Sequence, residues 1–356
     1  MQSDQIDRVM KRQLVIAVTG LNAIDSPGPG VAVIRAIKEC TDFEARIIGL
    51  SYEALEPGIY MHNLVDKTYQ IPYPSAGTEA LLHRLEHIHE IEKIDLVIPN
   101  FDAELFNFIK LKHKLHALVI RTFLPELEQF EARHKMMLYK FGEKHHLIVP
   151  EDRQIYQVSD LLTAGDELEY PLVIKGKYYD ATIVNTREEA QKAFFQLQSK
   201  WGLPIIAQQF IKGTEINIAV LGDGNGNAIS IIPMRKLFIT DKGKAWAGIT
   251  IDDSRFLDLA NKYVKATKWR GGCELEIMQT TDGKSYIMEV NPRFPAWIYL
   301  SAAAGQNQPA TLVKMALGEK IESFKRYDVG KMFIRYSWDL ITDVGEFQKI
   351  SGTGEL

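Results

Sequence analysis

The chain is 356 residues long, carries a formal net charge of −4 at pH 7, and is 46% apolar. This length predicts two or three domains, and the apolar fraction suffices for hydrophobic cores. The charge is nearly balanced and forms no long basic cluster, which argues against binding to nucleic acid or to an anionic membrane.

The two cysteines, Cys40 and Cys273, lie far apart in sequence and each within an apolar run. This usage favours reduced, buried thiols over a disulfide, and it matches neither zinc nor redox spacings. The apolar run 14–18 is too short for a signal core or a membrane span. The sequence therefore predicts a cytoplasmic protein.

The first part of the chain alternates between β-branched runs and amphipathic segments. Strands are predicted at 14–18, 45–50 and 95–99, and helices at 31–38, 79–91 and from about residue 103. This alternation is typical of a parallel sheet with helices on its faces, whose ligands bind beyond the carboxyl ends of the strands. Asn100, Asp102 and Glu104 follow one such end and are candidate substrate contacts.

A glycine- and proline-rich loop, 22–30, lies between the first strand and the first helix. Its glycines miss the spacing of the dinucleotide fingerprint, no Gly-Lys-Ser/Thr follows, and its two prolines remove backbone donors that could bind phosphate. The loop is therefore predicted to be a rigid turn, and a dehydrogenase built on this domain is disfavoured.

The middle of the chain is predicted to form a small α+β lobe followed by a hairpin. The predicted elements are a helix from Glu131 through Lys140, a helix near 158–160, a strand at 170–175, a helix at 186–199 with Asn185 or Thr186 as its N-cap, a strand at 205–210, and a hairpin of 215–221 with 228–233.

A second hairpin is predicted further on, from the alternating runs 272–278 and 285–291 with an Asp-Gly turn at 282–283. One face of this hairpin is apolar and is predicted to face a core. Its members are Cys273, Leu275, Ile277, Tyr286, Met288 and Val290.

The other face of the hairpin is acidic. Counting outward from a two-residue turn places Glu276 opposite Glu289, and Glu274 opposite Asn291. Like charges facing each other across a strand pair destabilise it by up to about 1 kcal/mol, so this arrangement implies a compensating cation. Carboxylate oxygens and substrate phosphates are the usual ligands of Mg²⁺, which predicts a metal–nucleotide site.

Pro292 ends the second strand, because it has no N–H to donate, and places Arg293 in the loop just beyond the acids. A guanidinium there can bind a carboxylate or a phosphate with two hydrogen bonds.

The run Glu289-Val290-Asn291-Pro292-Arg293, after a Glu-bearing strand and before the segment 300–309, resembles the metal-binding end of the ATP-grasp superfamily. The closest likeness is to its carbamoyl-phosphate-synthase-like and biotin-carboxylase-like members. The resemblance implies an α/β and α+β fold. Its expected parts are a parallel-sheet, pre-ATP-grasp domain at 1–120, an ATP-grasp small lobe with a linker helix at 121–207, and a large lobe with the metal site at 208–356.

The resemblance also implies positions for ATP and for Mg²⁺ or Mn²⁺. The implied ATP contacts are Lys135 and Lys175 at the phosphates, Gln208, Gln209, Phe210 and Ile211 at the adenine-binding hinge, and Glu215 near the ribose. The implied metal ligands are Glu276, Glu289 and Asn291, with Lys236 facing the transferred phosphoryl group and Arg293 clamping the acceptor carboxylate or acylphosphate.

The segment after Lys175 departs from the family pattern. Related proteins carry a glycine-rich loop here, whereas residues 176–181 contain one glycine, and Lys177 could substitute charge for backbone amides. This departure leaves open a nucleotide-binding member without turnover.

The reaction implied by the resemblance is activation of a small carboxylate by ATP as an acylphosphate, which an amine then attacks. A bicarbonate-activating enzyme, like carbamoyl-phosphate synthases or carboxylases, is the alternative. The expected partners are ATP and these two substrates, with no nucleic acid or membrane, and a homodimer is one option for the assembly.

Overall fold

A computed structural model of the chain describes residues 13–22, 27–176, 180–240 and 243–356, and the side chains at 135 and 136 lie outside that description. The strands are β1 (Gln13–Val18), β2 (Glu44–Ser51), β3 (Lys67–Gln70), β4 (Leu96–Ile98), β5 (Asp152–Ile155), β6 (Leu172–Lys175), β7 (Ala181–Val184), β8 (Ile205–Gln209), β9 (Thr214–Asp223), β10 (Ala228–Ile239), β11 (Ala245–Thr250), β12 (Arg270–Gln279), β13 (Ser285–Asn291) and β14 (Met332–Ile334).

The described residues also form α-helices. They are α1 (Pro29–Lys38), α2 (Gly77–Glu92), α3 (Asp102–Ala117), α4 (Leu127–Ala132), α5 (Lys135–His145), α6 (Val158–Leu168), α7 (Arg187–Trp201), α8 (Ser254–Thr267), α9 (Tyr299–Ala303), α10 (Gln308–Ala316) and α11 (Val344–Thr353).

The N-terminal sheet is parallel, as predicted, with strand order β3-β2-β1-β4. Residues of β1 point alternately into two cores, with Ile16 and Val18 packing on the side of α1 and Ala17 on the side of α2 and α3. The chain moves outward from β1 to β3 and then returns to β4 on the other side of β1. Ligands of open α/β sheets bind at such a reversal, beyond the carboxyl ends of the strands.

The glycines just before α1 pack closely against the residues that follow β1. The N–H of Gly30 donates to the carbonyl oxygen of Gly20 at 2.9 Å, and that of Gly28 donates to Asn22 at 2.7 Å. Two backbone donors that a phosphate would need are therefore already used at the described ends of this loop. Residues 23–26 of this loop lie outside the described residues.

The small lobe contains a four-stranded antiparallel sheet of order β5-β8-β6-β7, covered by α6 and α7. Thr186 is the N-cap of α7, and its side chain accepts from the N–H of Glu189. Residues 210–213 connect β8 of this lobe to β9 of the next.

The large lobe is a six-stranded antiparallel sheet of order β13-β12-β9-β10-β11-β14. One face packs on α5 and α8, through a core that includes Leu138, Phe256 and Trp269. Part of the other face joins the N-terminal domain, because Ala219 and Phe294 share a core with Val18 and Val33. The domain boundaries stay a prediction.

The linker contains two helices where the sequence predicts one from Glu131 through Lys140. The break lies at Arg133 and His134, and His134 has an extended backbone (φ −58°, ψ 138°). It lets the two segments reach different cores, because Phe130 packs on the N-terminal domain whereas Leu138 packs beneath the large sheet.

The end of the chain returns to the N-terminal sheet. Leu356 exchanges two backbone hydrogen bonds with Thr68, of 2.8 and 2.9 Å, and Ile350 packs on Ile59 and Tyr60. Cys40 and Cys273 are both free thiols. Within the described ranges, no helix combines the length and apolar character that crossing a bilayer requires.

Replacing Gly30 with alanine is expected to lower the melting temperature, because the new Cβ would lie 2.1 Å from the carbonyl oxygen of Thr19. Such overpacking costs about 1 to 3 kcal/mol. Gly352→Ala is the matched control, since a Cβ on this helical glycine meets no atom within 4 Å. Thermal unfolding followed by circular dichroism should separate the two variants, and an equal change in both would contradict the close packing at Gly30.

Candidate active site

The acidic hairpin has the predicted pairing at its centre. Glu276 lies opposite Glu289, and Glu274 lies opposite Asn291. The two glutamates therefore face each other across β12 and β13, where like charges repel unless a cation lies between them.

The turn of this hairpin differs from the prediction. The N–H of Thr280 donates to the carbonyl oxygen of Lys284 at 2.9 Å, which leaves a three-residue loop, 281–283, instead of a two-residue turn. Gly283 has a φ of +85°. A left-handed residue at the end of a three-residue loop is a common hairpin closure, which explains the difference.

A β-bulge then restores the predicted register. Ile277 lies opposite Ile287, whereas Glu276 lies opposite Glu289, so Met288 is the extra residue. The assignment of Tyr286 and Met288 to the core face is wrong, because Ile287 is buried there and both of these side chains are partly exposed. Bulges re-aim side chains beside functional sites, and this one turns Glu289 toward Glu276.

Glu274 is a buried anchor of the site. Its carboxylate, in a residue only 5% exposed, accepts hydrogen bonds from Asn217 at 2.6 Å, Trp297 at 2.7 Å and Asn291 at 3.0 Å. These donors use both oxygens and place Trp297 in the core. Glu274 therefore positions its neighbours and is poorly placed to bind a cation.

Asn291 links the anchor to the facing glutamates. Its amide nitrogen donates to Glu274 and to Glu276, each at 3.0 Å. The amide oxygen is the atom left to face a cation. Burial raises the pKa of Glu276, and the charge of Glu274 adds to this rise. A bound cation would offset both effects.

The oxygen atoms of this site suit a hard cation whose coordination is completed by phosphate oxygens. In the described part of the chain, no three His, Cys, Asp or Glu side chains converge to hold a metal ion by themselves. Mg²⁺ is usually held by one or two carboxylates together with substrate phosphates. The pair Glu276 and Glu289, with the oxygen of Asn291, fits that description.

Lys236 is a buried cation beside the acids. Its ammonium group donates to Glu215 at 2.6 Å, and its side chain is 8% exposed. Burial alone would lower the pKa of Lys236, but the charges of Glu276 and Glu215 raise it. The lysine therefore stays charged next to the proposed metal ligands.

Arg293 joins the large lobe to the N-terminal domain. Its Nη2 lies 3.3 Å from Oδ2 of Asp102, the first residue of α3. Burial would lower the pKa of Arg293, but Asp102 and the three glutamates of the hairpin raise it. The sequence predicts Asp102 and Arg293 as separate candidates, and the structure brings them into contact.

The residues predicted to contact the nucleotide lie on the small lobe and on its connection to the large lobe. Lys175 is the last residue of β6, opposite Ile206 on β8, and Gln208 is buried opposite Asp152 on β5. The side chain of Lys135, at the start of α5, and the whole of Lys177 lie outside the described residues. Phe210 is half-buried and Ile211 buried in the connection to β9.

A family model described as ATP-grasp in the biosynthetic pathway with Ter operon matches residues 203–334, which contain the hinge, the large sheet and the acidic hairpin. The D-alanine–D-alanine ligase of Cupriavidus metallidurans is 24% identical over 176 residues, covering 45% of this chain and 54% of the relative. That of Bordetella petrii is 23% identical over 173 residues, covering 44% and 53%. The chain spans about half the length of these curated relatives.

Solved structures share the fold over most of the chain. Biotin carboxylase from Campylobacter jejuni superposes with a TM-score of 0.71 at 16% identity, covering 89% of this chain and 74% of that one. N5-carboxyaminoimidazole synthetase from Staphylococcus aureus gives a TM-score of 0.68 at 15% identity, covering 90% and 82%. The chain therefore shares the ATP-grasp fold of these structures, and its residues 203–334 match an ATP-grasp family model. The predicted fold class is confirmed.

Glu104 caps a helix and is poorly placed to contact substrate. It accepts from the N–H groups of Asn100 at 2.7 Å and Phe101 at 3.0 Å, and from the hydroxyls of Thr19 and Tyr52. Both oxygens are used, and burial raises the pKa of the carboxyl. The interpretation of Glu104 as a substrate contact is therefore disfavoured.

Sequence reasoning missed two acids whose pKa values are shifted by burial. Burial raises the pKa of Asp152 to about 6, against the charge of nearby Lys175. Burial also raises the pKa of Glu56 to about 7, although the N–H groups of Tyr52 and Glu53 donate to it. Neither lies in a recognisable motif, so only tertiary burial distinguishes them from solvated acids.

Glu274→Gln is expected to lower the melting temperature, because the new amide NH₂ would face groups that donate to the carboxylate. Leaving a buried donor unsatisfied costs about 1 to 3 kcal/mol. Glu289→Gln should not lower the melting temperature, since it removes one of two facing charges, but it should reduce stabilisation by Mg²⁺ and an ATP analogue. Melting temperatures with and without these ligands test both effects, and the reverse ranking would contradict the assigned roles.

Glu56→Gln is expected to change how stability depends on pH. The folded chain holds a proton on Glu56 up to about pH 7, whereas the unfolded chain releases it near the ordinary glutamate pKa of 4.5. The wild type should thus lose up to about 3 kcal/mol as pH rises through this window, and the variant should lack that loss. Urea unfolding at pH 5 and 7.5 measures it, with exposed Glu90→Gln as the control. A wild type–variant difference that is equal at both pH values would contradict the prediction.

Proposed function

We propose that this chain is an ATP-dependent ligase that activates a carboxylate as an acylphosphate for attack by an amine. The observation that carries the proposal is the facing pair Glu276 and Glu289, with Asn291 bonded beside them and with Lys236 and Arg293 as buried cations close by. This arrangement has the charge pattern that binding a metal–triphosphate next to an anionic acceptor requires.

The facing glutamates and the oxygen of Asn291 would hold Mg²⁺ or Mn²⁺, which when bound neutralises phosphate charge. Lys175, together with Lys135 and Lys177, would contact the phosphates, since an ammonium group binds phosphate as a point charge without strict geometry. Lys236 would face the transferred group from the opposite side of the acids. Its ion pair with Glu215 fixes the ammonium group in place.

Adenine would lie at the connection between the lobes, 208–211. The backbone of Gln209 is already fixed, because its N–H donates to the carbonyl oxygen of Glu151 at 2.9 Å. The Oε1 atom of Gln208 and Oδ2 of Asp152 are buried and have no hydrogen-bond partner among the described residues. These two acceptors could receive hydrogen bonds from an exocyclic amine of the base.

The first step would transfer the γ-phosphoryl group. An oxygen of the acceptor carboxylate attacks the γ-phosphorus, and the bond from this phosphorus to the bridging oxygen breaks, with ADP as the leaving group. Arg293 would orient the acceptor by a two-pronged contact. Phosphoryl transfer needs little covalent help from a protein, so fixed positions and compensating charges lower most of the barrier.

The second step would form the new bond. The amine nitrogen attacks the carbonyl carbon of the acylphosphate, the carbon–oxygen bond to phosphate breaks, and phosphate leaves with the electron pair. The proton that the nitrogen loses passes to the departing phosphate. The buried surroundings of Arg293 would keep water away from the acylphosphate. The D-alanine–D-alanine ligases among the relatives bear the name of such a ligation, which supports this choice.

Bicarbonate activation is the second candidate. It is favoured by the similarity in fold to a carboxylase domain whose structure is described as bound to bicarbonate. Bicarbonate would then replace the organic acid as acceptor and form carboxyphosphate at the same site.

ADP release, measured across a panel of small acids, amino acids and bicarbonate, tests the proposal. Turnover that needs an acid and an amine is the expected result, and hydroxylamine added in place of the amine should trap the acylphosphate as a hydroxamate. Dependence on bicarbonate alone would favour the second candidate. Tight ATP binding without turnover for any acid would contradict both and indicate a nucleotide-binding regulator. Glu289→Gln is the inactive control for each assay.

A further inference from the structure

One edge of the large sheet is open among the described residues. β14 is the last of the six strands and pairs with β11 on one side only. The opposite edge is covered in part, because the N–H of Ile287 on β13 donates to the carbonyl oxygen of Ile148 at 2.9 Å. Unpaired N–H and C=O groups along an edge strand favour pairing with another chain. β14 is therefore the edge at which a further strand can be added.

The hydrogen bonds to β11 fix which backbone groups of β14 point outward. The N–H of Arg335 donates to the carbonyl oxygen of Trp246, and the N–H of Thr250 donates to that of Lys331, each at 2.9 Å. The odd-numbered residues of this segment thus direct their backbone groups at β11. The even-numbered residues direct theirs away from it, because successive residues of an antiparallel strand alternate in this way. A strand added at the open edge would bond to the even-numbered residues.

The chain beyond β14 exposes large apolar side chains that a monomer would leave in water. Every residue from 336 to 345 is exposed, and Trp338 and Ile341 are 85% and 89% exposed. Phe238 and Ile334 extend this surface onto the sheet, since each lies opposite Ala247, one on either side of it. Both are exposed as well. Contiguous apolar surface of this kind marks a site of protein association.

The segment 331–343 has the alternation of a strand longer than β14. Residues 335–343 have no regular secondary structure in the described chain. Their polarity nevertheless continues the period of two, which is typical of a strand with two different faces. The even-numbered positions from 332 to 340 are all apolar or aromatic: Met332, Ile334, Tyr336, Trp338 and Leu340. We therefore expect this segment to extend β14 when a partner strand supplies its hydrogen bonds.

The charges at the odd-numbered positions of this segment are self-complementary. When two copies pair antiparallel about Ser337, Lys331 lies opposite Asp343, and Arg335 lies opposite Asp339. Twofold symmetry produces each of these ion pairs twice. Shifting the centre by one residue in either direction separates every one of these pairs. Registers that set an even-numbered residue opposite an odd-numbered one are excluded by the directions of the backbone groups. One register is thus favoured by charge.

We infer that residues 331–343 form a homodimer interface, in which the β14 strands of two copies pair antiparallel about Ser337 and join two large sheets into one. The occupant of the open edge is thus a second copy of this chain. Tyr336 of each copy would lie opposite Trp338 of the other, and such aromatic pairs stabilise paired strands. Main-chain hydrogen bonds add to the affinity. The assembly closes at two copies, because the twofold pairing uses both open edges.

A symmetric cross-link tests the register. Ser337 would meet its own copy as a pair without backbone hydrogen bonds, with Cα atoms about 4.5 Å apart, and a disulfide spans Cα separations of about 4.4 to 6.8 Å. The background is Cys40→Ser, which removes the partly exposed thiol and keeps the buried Cys273. In it, Ser337→Cys should form a covalent dimer on mild oxidation, measured by non-reducing gel electrophoresis.

Two further cysteine variants are the controls for this cross-link. Ile341→Cys keeps all the charges of the segment, but this position lies eight residues from its own copy, about 26 Å along the strand, and should not cross-link. Ser159→Cys, at an exposed serine of α6, measures cross-linking by random collision. Equal cross-linking of Ser337→Cys and either control would reject the pairing.

Charge reversal tests the inferred ion pairs. Lys331→Glu and Asp343→Lys should each weaken self-association at least about tenfold, because each places like charges opposite one another. The double variant should recover most of this loss, since it restores opposite charges. Sedimentation velocity over a range of concentrations measures the dissociation constant of the full-length protein, and circular dichroism verifies that each variant is folded.

Truncation of an exposed aromatic side chain tests the apolar part of the interface. Trp338→Ala should weaken self-association at least about tenfold, because aromatic side chains buried on association contribute much of the binding energy. Leu55→Ala is the matched control, since Leu55 is 75% exposed and lies outside the interface. It should leave the dissociation constant unchanged.

A wild type that stays monomeric at its highest soluble concentration would overturn the inference. A dimer that is unaffected by Trp338→Ala and by both charge reversals would overturn it as well, because its interface would then lie elsewhere. Open-ended aggregation in place of a closed dimer would also contradict it. None of these measurements needs nucleotide or turnover, so their outcome is independent of the proposed ligase function.

Discussion

The burial of Glu276 on the acidic face of the hairpin, opposite Glu289 and beside Glu274, is the constraint on which the site depends. Burial and the charge of Glu274 both raise the pKa of Glu276, so its charged form needs compensation from the surrounding residues. Asn291 donates to Glu276, and the ammonium group of Lys236 and the guanidinium of Arg293 stay charged nearby. A divalent cation bound with its nucleotide would supply further compensation for the charge of Glu276.

On the same face of the hairpin, Glu274 positions its neighbours, whereas Glu276 and Glu289 are the proposed metal ligands. Three donors fix its carboxylate, and one of them, Asn291, also reaches Glu276. Glu274 thus orients the amide of Asn291, which lies beside the facing glutamates. The contact of Arg293 with Asp102 extends this network into the N-terminal domain, so that charges from both domains meet at one place.

The hairpin illustrates how far sequence reasoning reached. Period-two alternation identified both strands and the pairing of the acids, although the turn has one residue more than predicted and Met288 forms a bulge. The extra turn residue and the bulge offset each other, so the predicted pairing of Glu276 with Glu289 is kept. A bulge has no reliable local signal in one sequence, because it depends on how the strand fits its neighbours and core. The same holds for the break at Arg133, which depends on the two cores that α4 and α5 reach.

The sequence by itself determined the ATP-grasp resemblance, the parallel N-terminal sheet and the residues of the acidic hairpin, because these follow from local patterns of polarity and from short motifs. Only the tertiary structure decided that Glu104 caps a helix, that Trp297 belongs to the core, and that Asp102 meets Arg293 across 191 residues of sequence. A charged residue looks the same in a sequence whether its side chain is solvated, caps a helix or is buried beside a partner. Burial and distant partners distinguish these cases, and both arise only when the chain folds.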